Sequence, residues 1–217
     1  MPELPRPAGV VFDCDGLLVD TEPCWTVAES AVFAARGLGY GPAEKAAFIG
    51  KSVGATVALM AERFGEVGNE EGIRDEVLSS IADAIGSQAE PMPGALELVE
   101  VLSARLPVAV ASNSPRLVLD LALARAGLGG VFGAVVAADE VARPKPAPDL
   151  YLQACRLLGV AASQSIAFED TGTGAAAASA AGLHVIGVPS PEALPFPADG
   201  TLASLADPAL LDWARSL

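Results

Sequence analysis

Histidine is almost missing from this chain: among 217 residues only His184 carries an imidazole. A His-rich zinc site cannot be built from that, and a Ser/His/Asp triad has a single candidate base. Cysteine is scarce too. Cys14, Cys24 and Cys155 are odd in number and form no close-spaced set, which fits core packing in a reducing compartment. Positive charge is in short supply: 13 Lys and Arg stand against 27 Asp and Glu, for a formal charge of -14 and an isoelectric point near 4.3. Such a field repels polyanions, so neither a nucleic acid nor an anionic bilayer is expected as a partner. A small phosphorylated metabolite stays compatible, because a local cation or metal reverses the sign inside a cleft. Long apolar runs are also missing. Gly, Pro or charge breaks each one well short of the roughly 20 residues a membrane span needs. Residues 1–9 hold three prolines and one Arg without an apolar stretch, so no signal peptide is expected and the location is read as cytoplasmic.

What is present is apolar and periodic. Apolar residues make up 52% and charged ones 18%, with a mean hydropathy of +0.44, which excludes a disordered chain. Short runs rich in Val, Ile or Ala recur at 10–12, 108–111, 134–138, 165–168 and 184–188, with helical patterns usually between them. That alternation predicts an α/β fold, a doubly wound, mostly parallel sheet buried on both faces. Ser114 before Pro115 reads as a helix cap followed by Pro at the first helical position, with Gly127 as terminator. Pro148 opens the next helix, with Leu150, Leu157 and Leu158 as its buried positions. The Ala-rich stretch 173–181 reads as another helix. The last, 208–217, is anchored by Trp213.

Ninety-five residues separate the first two strand-like runs, and their patterns are helical. Val53, Val57, Met60 and Phe64 fall three or four apart, as do Ile73, Val77, Ile81 and Ile85. The expected organisation is a helical domain over 23–88 inserted into an α/β core formed by 1–22 and 89–217. Pro91 and Pro93 would stiffen the return.

Asp13-Cys14-Asp15-Gly16 closes the first strand. Alternation puts Asp13 and Asp15 on one side and Cys14 on the other. Two neighbouring acids repel unless a cation lies between them. Oxygen donors with no available His argue for Mg²⁺ rather than zinc. A second acidic pair, Glu169-Asp170, ends the fourth strand in the same way. Ligands of such sheets bind beyond the C-terminal strand ends, where strand order reverses. If the first and fourth strands are neighbours, both pairs meet at one metal. Solvated loop acids and a helix-start Asp capped by Thr171 are the alternatives.

Arg143-Pro144-Lys145-Pro146 brackets a lysine with prolines, which aims Lys145 with little entropy left to lose; a plain surface turn is the alternative. Ser112-Asn113-Ser114-Pro115 opens a helix whose free N–H groups and dipole suit an anion, although capping alone also accounts for it. Arg116 lies one residue beyond and faces substrate or solvent. Thr171-Gly172-Thr173-Gly174 is not a nucleotide fingerprint, since the required glycine spacing is absent.

Taken in order, Asp13-Cys14-Asp15-Gly16-Leu17-Leu18-Val19-Asp20, Ser112, Lys145 and Glu169-Asp170 resemble the four motifs of the haloacid dehalogenase superfamily. Residues 12–22, 143–149 and 168–182 resemble its beta-phosphoglucomutase-like branch, closest in pattern to sugar- and hexitol-phosphate phosphatases. The resemblance implies a Rossmann-like core of strand order 5-4-1-2-3 with a helical cap. It implies Asp13 as nucleophile, forming an aspartyl-phosphate, and Asp15 as general acid and then base. Ser112 and Lys145 would hold the phosphoryl group. Mg²⁺ would be held by Asp13, the Asp15 backbone carbonyl and Asp170, with Glu169 nearby directly or through water. Asp15 itself argues for phosphoryl transfer over carbon–halogen cleavage, because the dehalogenases of this group lack that acid.

Mutases of this branch use a His on the first cap helix, and the matching position here is Trp25. The leading expectation is therefore a Mg²⁺-dependent phosphatase acting on a sugar or polyol phosphate. A beta-phosphoglucomutase-like isomerase and a non-catalytic phosphosugar-binding protein are the alternatives. Asn113, Trp25, Glu22, Lys51 and Arg116 are the candidate substrate contacts. Asp20 and Thr21 would mark the hinge, with Trp25 either lining the cleft or filling the joint and Ser52 a possible helix cap. No obligate protein partner is expected, since one chain carries a full set of motifs.

Overall fold

Gly9–Phe12 has no polar side chain to satisfy, and it forms the wholly buried central strand β1. In the computed structural model, which describes residues 4–190 and 195–217, β2 (Val19–Asp20) and β3 (Glu90–Pro91) pair with each other apart from the main sheet. The main sheet is parallel. Strand β4 (Val108–Ala111) flanks β1 on one side and β5 (Ala134–Val136) lies beyond it; on the other side come β6 (Ser165–Glu169), β7 (His184–Gly187) and β8 (Gly200–Thr201). The order is β5-β4-β1-β6-β7-β8, which is the expected 5-4-1-2-3 arrangement with β8 added at one edge. Chain order reverses between β4 and β6, on either side of β1, so the rim beyond β1 is the switch point.

Alternate residues of the strands feed two cores. Val10, Phe12, Val110 and Phe168 pack on one face with α5 (Ala95–Ser103), α6 (Arg116–Arg125) and α9 (Pro208–Arg215). Val11, Ala109, Ala167 and Val185 pack on the other with α7 (Asp149–Leu158) and α8 (Gly172–Ala181). Burial on both faces explains why these strands read as continuous apolar runs. Phe12 and Phe168 stack across the β1–β6 pair with centroids 5.4 Å apart, so truncating either ring would cost about 3–5 kcal/mol. In α8 the small side chains of Ala175, Ala177 and Ala178 are the buried ones, which lets the helix lie close on the sheet.

Between β2 and β3 run four helices: α1 (Glu22–Ala34), α2 (Pro42–Phe48), α3 (Val53–Phe64) and α4 (Glu70–Gln88). They carry a core of their own, in which Phe33 meets Phe64 edge-on at 4.8 Å and Met60 and Ile73 are fully buried. Ile81, Ala84 and Ile85 of α4 and Cys24 and Ala28 of α1 belong instead to the main core. The helical layer is thus seated on the sheet domain.

Several sequence expectations need correction. Pro115 stands at the cap position rather than inside the helix, and α6 starts at Arg116, because the Asp139 carboxylate accepts the Arg116 N–H at 3.0 Å. Leu157 is half exposed, since only the stripe through Leu150, Tyr151, Ala154 and Cys155 faces the sheet. Helix α2 and the two-residue strands β2, β3 and β8 are too short for a period to show in the sequence. All three cysteines are buried and free. Among the described residues no helix is long and apolar enough to cross a membrane.

Candidate active site

The register between β1 and β6 sets Phe12 opposite Phe168, and the Asp13 N–H donates to the Phe168 carbonyl at 3.0 Å. Asp13 therefore emerges beside Glu169 and Asp170. Carboxylate oxygens of these three acids all lie within 4.8 Å of one another. Gly16 turns the chain back with φ 82°, and a Cβ there would sit 2.4 Å from Asp170 Oδ2. Glycine is required at 16 on both counts. Asp170 Oδ1 is buried without a hydrogen-bond partner. Converging carboxylate oxygens, one of them unsatisfied, with no His or Cys among them, fit a hard divalent cation such as Mg²⁺.

Lys145 closes the cluster from the other side and is only 7% exposed. Its Nζ donates to Asp13 Oδ1 and, at 2.6 Å, to Glu169 Oε1. The Lys145 backbone is clamped by Asn113, whose Oδ1 accepts from Lys145 N at 2.8 Å while its Nδ2 donates to Lys145 O at 3.2 Å. Glu169 is fully buried and surrounded by donors. Oε1 also accepts from the Tyr151 hydroxyl at 2.6 Å, and Oε2 accepts from Thr171 N and Oγ1 at 3.3 and 3.2 Å. These bonds use its acceptor capacity, so Glu169 orients the lysine more than it awaits an ion. A Cβ on Gly174 would fall 1.8 Å from Glu169 Oε1, which is why the Thr171–Gly174 turn needs that glycine.

Burial pushes the Asp13 carboxyl up to about 7, against the pull of Lys145, with Glu169 and Asp15 adding to the rise. Burial also drives Asp170 well above the carboxylate range, reinforced by Asp13 and Glu169. For Lys145 desolvation acts downward, but the Asp13 and Glu169 charges outweigh it and raise the ammonium's pKa. Without a metal the cluster is one cation short.

Asp15 has a different environment. Oδ2 accepts from Ser112 Oγ at 2.9 Å and Ser114 Oγ at 2.8 Å; Oδ1 accepts from Thr21 Oγ1 at 2.7 Å, with Trp25 Nε1 at 3.5 Å. Three hydroxyls from two separate segments thus hold one carboxylate. Ser114, expected as a helix cap, spends its hydroxyl here, and Thr21, expected at a hinge, does the same. Ser112 is fully buried. Nothing in the local pattern marks Ser114 or Thr21 as partners of Asp15.

A cavity of about 120 Å³ opens between this rim and the helical layer, lined by Asp13, Asp15, Lys145 and Asp170 at its base. Trp25, Glu22, Lys51 and Asn113 border it as well. Asn113 also donates to the Gly50 carbonyl at 3.4 Å, tying the loop before α3 to the sheet domain. Glu22 pairs with Lys45 at 3.1 Å. Ser52 caps α3, accepting from Ala55 N at 3.4 Å. Arg116 is not among the residues lining the cavity: its guanidinium donates to Glu140, Asp120 and the Val135 carbonyl. Its expected substrate contact is withdrawn on that geometry. His184 opens β7, at the strand end opposite the acidic rim, with Nδ1 3.6 Å from Asp199 Oδ2. Glu29, Lys45 and Thr56 line the cavity without having been singled out by any motif.

The sequence profile described as "Hydrolase: haloacid dehalogenase-like hydrolase" matches residues 7–182. Fructose-1-phosphate phosphatase YqaB of Escherichia coli (strain K12) is 33% identical over 183 residues, covering 84% of this chain and 97% of that protein. Hexitol phosphatase B of the same organism is 32% identical over 204 residues, covering 91% of this chain and 92% of that protein. The crystal structure of CbbY from Rhodobacter sphaeroides in complex with phosphate shares the fold, with a TM-score of 0.82 at 24% identity, over 95% of this chain and 99% of that one. The chain is an enzyme of the haloacid dehalogenase-like hydrolase family, related to sugar- and hexitol-phosphate phosphatases.

Proposed function

We propose that the protein is a Mg²⁺-dependent phosphatase that hydrolyses a small sugar or polyol phosphate through an aspartyl-phosphate. The observation that carries this reading is the division of labour between two acids on one strand end. Asp13 lies in the lysine-bound carboxylate cluster, and Asp15, two residues on, is held apart by hydroxyls.

The chemistry follows from those placements. An Asp13 oxygen attacks phosphorus and forms an O–P bond as the bond to the leaving oxygen breaks, and the proton of Asp15 passes to that oxygen. A water oxygen then attacks the same phosphorus, the Asp13–phosphorus bond breaks, and Asp15 takes up the water proton. Lys145 offsets negative charge on the carboxylate and on the phosphoryl oxygens in both steps. Asp13, Asp170 and the Asp15 carbonyl would hold Mg²⁺, which when bound neutralises phosphoryl charge. Glu169 keeps Lys145 aimed. On this geometry Ser112 acts through Asp15, to which its hydroxyl donates. Helices α1–α4 serve as the cap that shields the site from bulk water.

Trp25 at the cap face, with no histidine between residues 23 and 88, argues for water rather than a second sugar hydroxyl as the acceptor. The named relatives act on fructose 1-phosphate and hexitol phosphates, which sets the substrate class to try first. Three free buried cysteines suit a reducing compartment such as the cytoplasm. One chain holds the whole site, so no protein partner is needed.

The test is phosphate release from a panel of sugar and polyol monophosphates, with Mg²⁺ and with chelator. Metal-dependent release is expected, and Asp13→Asn and Asp15→Asn should each lower kcat by about 10³-fold or more. Equal turnover in chelator would sink the mechanism. Phosphate retained on the sugar in the presence of a bisphosphate primer would favour the isomerase.

A further inference from the structure

Glu29 lies one turn beyond Trp25 on α1, about 6 Å further from the phosphoryl site along the helix. It lines the cavity yet is only 6% exposed. The Tyr40 hydroxyl donates to its Oε2, and among the described residues no hydrogen bond ends on Oε1. Of the cap lysines that line the cavity, Lys45 pairs with Glu22, and among the described residues neither Lys45 nor Lys51 forms an ion pair with Glu29. Burial pushes the Glu29 carboxyl above its ordinary range, with Tyr40 and Lys45 pulling the other way. Thr56, also 6% exposed, presents a hydroxyl to the same cavity and makes no side-chain hydrogen bond among the described residues. Around these two groups the wall is apolar, formed by Phe48, Val53 and Val77.

A buried carboxyl without a paired cation is unfavourable for folding, and an apolar residue of similar size would pack there at lower cost. An acceptor retained at that expense, aimed into a cavity, suits a ligand that brings a donor. We infer that Glu29 is the specificity residue of this pocket: it accepts a hydrogen bond from a hydroxyl or ammonium at the end of the leaving group remote from the phosphate. By the same charge it rejects a second phosphate or a carboxylate at that end. The apolar wall receives the carbon chain between the two polar ends. This assignment rests on the phosphatase reading and names its substrate class, a monophosphate with a distal donor and no distal anion.

The experiment compares kcat/KM for sorbitol 6-phosphate, its 1-deoxy and 1-amino-1-deoxy analogues and sorbitol 1,6-bisphosphate, with acetyl phosphate as a substrate too small to reach Glu29. The unaltered protein should favour sorbitol 6-phosphate over the 1-deoxy compound by about 10–100-fold, the range for a hydrogen bond to a charged acceptor. Glu29→Gln should reduce that ratio and improve the relative turnover of the bisphosphate. Glu29→Leu should bring the ratio near one. If Glu29→Leu does not fold, the isosteric Gln variant carries the same comparison. Preference for the amino over the hydroxyl compound identifies an ammonium as the donor; the reverse order identifies a hydroxyl. A ratio near one in the unaltered protein, or one untouched by Glu29→Gln, overturns the inference. When that happens with acetyl phosphate still hydrolysed in Mg²⁺, the inference falls alone. No release from any compound removes the phosphatase reading and this assignment with it.

Discussion

At Gly174 a single methyl group decides whether the site can exist. The added carbon would overlap Glu169 Oε1 at 1.8 Å, and Glu169 cannot retreat because it is fully buried and held by Lys145, Tyr151 and Thr171. Gly174→Ala should therefore displace the carboxylate, break a buried charge pair and cost about 3 kcal/mol or more. Thermal unfolding should show a midpoint lower by about 10 °C for a chain of this length; an unchanged midpoint would mean that Glu169 has room to move. Asp13, Asp15, Lys145 and Asp170 were legible because motif order and strand alternation put them at one rim. Thr21 and Ser114 were not, since a hydroxyl's partner 6 or 99 residues away leaves no local trace.

At the scale of the element, α6 shows how tertiary contacts override local punctuation. Ser114-Pro115 has the form of a cap, yet Asp139, in the turn that follows β5, accepts the first N–H of the helix and leaves Ser114 to Asp15. Asp139→Ala should cost about 1 kcal/mol of stability, as for other lost N-caps, read as a shift in the urea midpoint. Ser114→Ala as a helix-cap lesion would instead have been the natural choice from sequence. If Asp139→Ala leaves the urea midpoint in place, the N-terminus of α6 is satisfied by solvent. Arg116 belongs to the same correction: the acids that hold its guanidinium, Asp120 and Glu140, draw it away from the cleft. Helices α3 and α4 were readable from their apolar spacing, whereas α2, with seven residues, offers too few turns for a period.

For the whole molecule, the acidic rim links stability to pH. Asp13 titrates near 7 in the folded protein against an ordinary value of 3.8. Between about pH 4 and 7 the folded state holds a proton that the unfolded chain has released, so this group's contribution to stability falls as pH rises through that window. In chelator the unfolding midpoint should decline from pH 5 to 8, and Mg²⁺ at pH 8 should restore it by binding the folded state alone. Asp13→Asn should show a shallower decline. The general self-repulsion of a chain with charge -14 is nearly shared by both proteins, so equal slopes would refute the assignment.

Amino-acid order alone determined the alternation of buried strands with helices, the helical insertion after the first strand and the paired acids at two strand ends. Those features depend on near neighbours along the chain, where period and alternation operate. Only the tertiary structure decided which hydroxyls serve Asp15, that Glu169 is spent on Lys145, that Arg116 is elsewhere and that Glu29 faces the cavity. Each of those depends on which side chains the packing brings within about 3 Å, a distance set by the packed assembly of elements rather than by any one of them.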